Sequence, residues 1–384
     1  MRRCFRLWVP LALAVGCKHP GTKSQALPSA SASAGQLARA ALGAFDLTST
    51  ESGAALVTID ATRAGLLLTR FDATGKAQKA EPLFDAKAND APRDVTEVSE
   101  LAAASVGADL DVVWVEKSAR GAHARGLLRP LATRGSAPLQ DLSAVQEPIA
   151  VPRGNVAISS SDGHFLVLSR REQTTCADSN QSECIGFDLL RQEANGSART
   201  GSPLAVPLPC EQNSVSFAVS GSRWYYGVCS RSTGKPLTTL FSIQNEPAYA
   251  RADRILEGCL PLGATALGGD LVVIGDCGGQ RQGLRVRGGN AAPEEVHVDR
   301  LEVVCESGKP LIRQLGAGGL NLALNERRDR LEAFLSPALS PPHSRAVWTG
   351  STLLVATPSG ASKDGSVNVK RYRCDSTLLR EAPP

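Results

Sequence analysis

Cysteine is the residue type in this 384-residue chain with the most chemistry open to it, and there are ten. Cys4 and Cys17 lie near the start; the other eight fall at Cys176, Cys184, Cys210, Cys229, Cys259, Cys277, Cys305 and Cys374. No Cys-x-x-Cys occurs, so the spacing does not favour a zinc site, and no metal is expected. The five histidines, His19, His123, His164, His297 and His343, do not stand at spacings that would put two on one helix face. His164, next to a glycine turn, is expected at the surface. A Gly-x-Ser-x-Gly elbow, a Gly-x-x-x-x-Gly-Lys-Ser/Thr phosphate loop and an Asp-x-Asp-x-Asp-Gly calcium loop are all missing from the sequence. The Gly360–Gly365 stretch, with Ser362 and Lys363, reads as a solvated turn. Acids such as Glu211 and Asp270 could serve acid–base chemistry only if folding brought partners to them. Neither catalytic residues nor a cofactor are therefore expected.

The amino terminus gives Cys17 a specific use. Met1-Arg2-Arg3-Cys4-Phe5-Arg6 is basic, and Leu7 to Gly16 is apolar apart from Pro10. About ten residues cannot cross a hydrocarbon layer that needs roughly 20. A basic head, a short apolar run and small residues at the exit have the layout of a removable export signal. The exit, Ala14-Val15-Gly16-Cys17, resembles the lipobox of bacterial lipoproteins, although Ala14 stands where that family usually has Leu. The resemblance implies cleavage after residue 16 and a lipid on Cys17. Lys18, rather than Asp, after that cysteine resembles an outer-membrane address. The competing reading is an ordinary signal cut after Ala14. Lipidation leaves eight cysteines, an even number, whereas the alternative leaves nine and an unpaired thiol.

Three segments follow: residues 1–16 as signal peptide, 17–44 as a lipidated tether rich in Ala, Ser and Pro, and 45–384 as the folded part. The tether has too few large apolar residues to offset its ordering entropy. Losing Arg2, Arg3 and Arg6 lowers the formal charge from +4 to +1. A near-neutral surface gives no electrostatic basis for binding nucleic acid.

What must position any site is a repeat. A glycine followed by an apolar strand recurs at Gly53, Gly107, Gly163, Gly221, Gly269, Gly319 and Gly350. The successive intervals are 54, 56, 58, 48, 50 and 31 residues. Four short strands can be read around most copies; around the fourth they fall at 215–219, 223–229, 237–242 and 254–257. Such units every 40 to 50 residues predict an all-β fold, a β-propeller of seven four-stranded blades. The phrase Leu68-Thr69-Arg70-Phe71-Asp72-Ala73-Thr74-Gly75-Lys76 resembles the third strand and turn of many bacterial propeller blades. Six or eight blades and paired β-sandwiches remain alternatives. The short last interval suggests first and last blades sharing strands from both chain ends. Trp114, Trp224 and Trp348, with Tyr225 and Tyr226, are expected in blade cores.

The cysteines follow this repeat. Cys210–Cys229 and Cys259–Cys277 straddle Gly221 and Gly269 at nearly equal offsets, which places each pair across a hairpin ladder. Cys176–Cys184 brackets a polar loop, and Cys305–Cys374 follows by elimination. Disulfides suit an exported chain. The expected function is a membrane-anchored, non-catalytic binding or scaffolding domain in the bacterial cell envelope, held through lipid on Cys17 and facing a protein or glycan partner. The alternative is a propeller enzyme acting on glycans, or a quinone-dependent dehydrogenase.

Overall fold

The structure is a computed structural model that describes residues 45–383, except 86–94, 132–139, 146–155, 171–183, 208–215, 231–236, 287–293, 315–320, 324–343, 359–366 and turns of up to four residues. Strands appear in chain order and no helix is present among the described residues. Sheet 1 holds β1 (Phe45–Thr50), β2 (Gly53–Ile59), β3 (Gly65–Asp72) and β4 (Glu81–Asp85). Sheet 2 holds β5 (Val95–Val106), β6 (Asp109–Ser118), β7 (Gly121–Pro130) and β8 (Gln140–Val145). Sheet 3 holds β9 (Val156–Ser161), β10 (His164–Arg170), β11 (Cys184–Glu193) and β12 (Arg199–Pro207). Sheet 4 holds β13 (Ser216–Ser220), β14 (Trp224–Ser230), β15 (Leu237–Asn245) and β16 (Ala248–Glu257). Sheet 5 holds β17 (Leu260–Leu267), β18 (Asp270–Asp276), β19 (Arg281–Val286) and β20 (Glu294–His297). Sheet 6 holds β21 (Leu301–Glu306), β22 (Lys309–Gln314) and β23 (Asn321–Ala323); sheet 7 holds β24 (Arg345–Trp348), β25 (Leu353–Pro358), β26 (Val367–Asp375) and β27 (Leu378–Glu381).

Every sheet is an antiparallel meander, each strand paired with its neighbour in sequence. First strands pack on first strands: β1 on β5, β5 on β9, β9 on β13, β13 on β17, and β24 on β1. This is the arrangement of a β-propeller, with the first strands of sheets 1 to 5 and 7 packed together toward the centre. Side-chain alternation explains why these strands read as apolar on both faces. In β2, Ala55 and Val57 join a core shared with sheet 2, while Ala54 and Leu56 join one shared with sheet 7. In β6, Leu110, Val112 and Trp114 face sheet 1, whereas Val113 and Val115 pack with Phe165 and Val167 of sheet 3. A period of two, split between two seams, buries both faces of sheets 1 and 2.

Two expectations need correction. No strand is exchanged between the two ends of the chain: among the described residues each sheet is built from one uninterrupted segment. The sixth repeat was also misplaced. Gly319 falls after β22, and the turn between the first two strands of sheet 6 is Ser307-Gly308, both at positive φ (52° and 76°). With Gly308 in its place, the last two intervals become 39 and 42 residues, and the short interval disappears. In sheet 4 the strands fall close to their expected positions, although β15 and β16 are longer and pair as far as Asn245 opposite Ala248.

Candidate functional site

The first strands carry the polar groups nearest the centre. In β1 the run Phe45-Asp46-Leu47 alternates: Phe45 and Leu47 enter the core shared with sheet 7, and Asp46 points the other way. Asp46 is nevertheless only 2% exposed. Its Oδ2 accepts the Ala103 N–H of β5 at 2.9 Å, and its Oδ1 accepts Arg345 Nε of β24 at 3.2 Å. Oδ1 also accepts the Leu47 N–H at 3.0 Å. One carboxylate therefore ties together the first strands of sheets 1, 2 and 7. Arg345 keeps a second contact, donating from Nη1 to the Ser344 carbonyl at 2.9 Å.

Another cluster lies on the seam between sheets 1 and 2. Glu81 Oε1 of β4 meets Arg70 Nη2 of β3 at 2.7 Å and Arg129 Nη2 of β7 at 2.8 Å. Arg70 Nη2 also donates to the Leu131 carbonyl at 2.6 Å. Burial, the largest influence on Glu81, would raise its pKa, but hydrogen bonds and charge from Arg70 and then Arg129 outweigh it and hold the carboxyl below its ordinary value. Burial lowers the Arg129 pKa, with Glu81 opposing. In sheet 2, Glu116 accepts Trp114 Nε1 at 3.2 Å and Arg125 Nε at 3.1 Å. Trp114 is fully buried and packs its ring at 5.1 Å from Phe84. It belongs to the core, as expected, and Trp348 is likewise buried.

At the outer end of sheet 1, Asp72 caps the turn after β3. Its Oδ1 accepts Thr74 N–H at 2.8 Å, Thr74 Oγ1 at 2.7 Å and Lys76 N–H at 3.0 Å. The Thr74 hydroxyl, followed by the Lys76 N–H, holds the Asp72 carboxyl below its ordinary value. The turn docks on sheet 7: Thr349 Oγ1 donates to the Ala73 carbonyl at 2.6 Å, and Ser351 donates to the same oxygen. The phrase that resembles a blade's third strand and turn thus also closes the ring.

The sequence-predicted residues are scattered. Cys259 and Cys277 are bonded to each other, as are Cys305 and Cys374. The first pair spans the mouth of the β17–β18 hairpin, just beyond Leu260 opposite Asp276. The second joins β21 to β26, between sheets. The equal offsets of two cysteine pairs from their glycines do not translate into equal ladder positions. The β13–β14 ladder is centred on residue 222, with Ser220 opposite Trp224, whereas Leu267 faces Asp270 in β17–β18. Cys17, Cys176 and Cys210 lie outside the described residues, so the lipid site and the Cys176–Cys184 and Cys210–Cys229 pairings do too; Glu211 and the Gly360–Gly365 turn also lie there. His123, His164 and His297 fall in three different sheets. His164 is 3% exposed rather than at the surface, because β10 runs between β9 and β11 and its first residue faces Ser161 and Glu193. Among the described residues, no group of three or more His, Cys, Asp or Glu could hold a metal ion.

Sequence reasoning passed over Asp46, Arg345, Glu81, Arg70 and Arg129. The available signal was a charge set inside an apolar run, as in Phe45-Asp46-Leu47 and Leu127-Leu128-Arg129. Chemically these clusters hold charge in place. The Glu81 carboxyl, held below its ordinary value by Arg70 and Arg129, is a poor proton acceptor.

No family model matches the chain, and no curated protein matches it. Solved structures do resemble it. A prolyl endopeptidase matches with TM-score 0.45 and 10% identity, covering 91% of this chain and 52% of that one. The tricorn protease matches with TM-score 0.37 and 11% identity over 88% of this chain and 30% of that chain. The β-propeller domain of the Trilobed protease from Pyrococcus furiosus, described as having an open velcro topology, matches with TM-score 0.36 and 10% identity, over 74% and 84%. The chain spans about half of the endopeptidase and under a third of the tricorn protease. At such identities the likeness concerns the fold.

Proposed function

We propose that this chain is an exported bacterial lipoprotein whose propeller domain binds or scaffolds a protein or glycan partner without catalysing a reaction. Lipid on Cys17 attaches it to a cell-envelope membrane, with the outer membrane as the favoured address, and residues 17–44 act as the tether. The observation that carries the non-catalytic reading is the use made of buried and half-buried carboxylates. Asp46 and Glu81 bind across sheet seams, and Glu116 fixes Trp114 and Arg125 within sheet 2. Acids engaged in this way hold sheets in place. Two disulfides support passage through an oxidising compartment. On this reading Cys176–Cys184 and Cys210–Cys229 complete the pairing, which non-reducing peptide mapping checks.

The test is fractionation of the full chain together with mass spectrometry of its mature amino terminus. The native protein is expected in the membrane fraction with a lipid-modified Cys17, and Cys17→Ser is expected unprocessed. More than one acyl chain is needed for firm attachment, so detergent release should give a multiply acylated terminus. A native protein that is wholly soluble and begins at Val15 would overturn the proposal.

A further inference from the structure

Among the described residues, sheet 7 is held differently on its two sides. Toward sheet 1 it contributes Val347, Leu354 and Ala356 to a core with Phe45 and Leu47, the Asp46–Arg345 pair, and the docked Asp72 turn. Toward sheet 6, β21 meets β26 and β27, the Cys305 N–H donates to the Thr377 carbonyl at 3.3 Å, and the Cys305–Cys374 disulfide crosses the seam. We propose that this disulfide is a redox-sensitive staple which sets whether sheet 6 stays attached to sheet 7.

The contrast with Cys259–Cys277 carries the argument. That bridge links the ends of two strands already joined by a ladder from Leu260 opposite Asp276 to Leu267 opposite Asp270. Opening it frees no element from its neighbours. Cys305 pairs in its own ladder with Pro310, and Cys374 pairs with Leu379, so the crosslink between them belongs to neither sheet's hydrogen bonding. It also closes a longer loop, 69 residues against 18, and so constrains more of the chain.

The chemistry is thiol–disulfide exchange with a dithiol. Cys305 is 2% exposed and Cys374 half-buried, so the dithiol's thiolate attacks Cys374 Sγ and Cys305 leaves as thiolate. The dithiol's second thiolate then closes on the mixed disulfide and releases Cys374. The dithiol is oxidised to a disulfide, and its two protons end on Cys305 and Cys374.

The experiment is a graded dithiothreitol titration of the full chain, quenched by alkylation and read by mass spectrometry of hydrogen exchange. Molecules alkylated at Cys305 and Cys374 should exchange the amides of 301–306 and 367–381 at least tenfold faster, and reoxidation should restore protection. Opening Cys259–Cys277 alone should change exchange only beside those two residues. The double variant Cys305→Ser/Cys374→Ser should show the loosened seam without reductant; should it fail to fold, the titration, which starts from the folded oxidised chain, gives the decision. Unchanged exchange in β21, β26 and β27, equal loosening on opening Cys259–Cys277, or unfolding of the whole chain in one step would each overturn the proposal.

Discussion

Replacing Asp46 with Ala tests whether one carboxylate holds three first strands together. The side chain of Asp46 is 3% exposed and that of Arg345 16%. Removing one partner of a buried ion pair costs about 3–5 kcal/mol, and taking the acceptor from the Ala103 N–H belongs to the same order. Because Arg345 retains some contact with water and its bond to the Ser344 carbonyl, about 4 kcal/mol is the expected loss. An unfolding entropy of about 2.1 cal/mol/K per residue over residues 45–384 amounts to roughly 0.7 kcal/mol/K, so Tm should fall by about 6 °C. Asp46→Asn keeps an acceptor for Ala103 and should lose about half as much. Scanning calorimetry of Asp46→Ala, Arg345→Ala and the double variant completes a thermodynamic cycle, with coincident transitions by two probes as the condition for using it. A coupling of at least about 1.5 kcal/mol is expected. A Tm within about 1 °C of the parent for Asp46→Ala, or strictly additive single effects, would refute the idea that this pair bridges the sheets.

Gly75→Ala should destabilise by about 1–3 kcal/mol in the same calorimetric assay, because its φ of 77° is unfavourable for a side chain and the new Cβ would come within 2.9 Å of Leu354 and 3.0 Å of Thr352. Glu81 predicts an acid-side pH dependence. Its folded pKa lies below the ordinary 4.5, so its contribution is fully present above that value and is lost as pH falls through the folded pKa. Stability measured between about pH 3 and 6 should therefore fall less steeply with acidification in Glu81→Gln than in the parent. Identical slopes in the two proteins would count against the Arg70–Glu81–Arg129 cluster.

The four-stranded rhythm could be read from sequence because a glycine turn followed by an apolar strand is a local signal. It failed where the local signal was weak. In sheet 6 the second strand opens with Lys309-Pro310, so the pattern slid eleven residues to Gly319 with its more apolar sequel. His164 read as a surface residue because a turn glycine precedes it, but burial there depends on strands to either side. The Asp46–Arg345 pair joins positions 299 residues apart, and only ring closure brings them together. Of the two disulfides among the described residues, Cys259–Cys277 is legible from hairpin symmetry, offset by half a residue because β17 carries a bulge between Pro261 and Gly263. Cys305–Cys374 had no such local basis and came only from counting what was left.

That each sheet is written by one uninterrupted stretch has a consequence for how such a gene can change. A duplication or deletion spanning the four strands of one sheet adds or removes the whole sheet together with both of its faces. Because sheets 1 and 2 split their side chains by alternation between a left and a right neighbour, a copy of either arrives with surfaces matched to the neighbours of the original. A ring closed by an exchanged strand would lack this freedom, since one unit would depend on two distant pieces of sequence. Here Asp46, Arg345, Ala73, Thr349 and Ser351 join the first and last sheets across one seam, so they must persist through any such rearrangement.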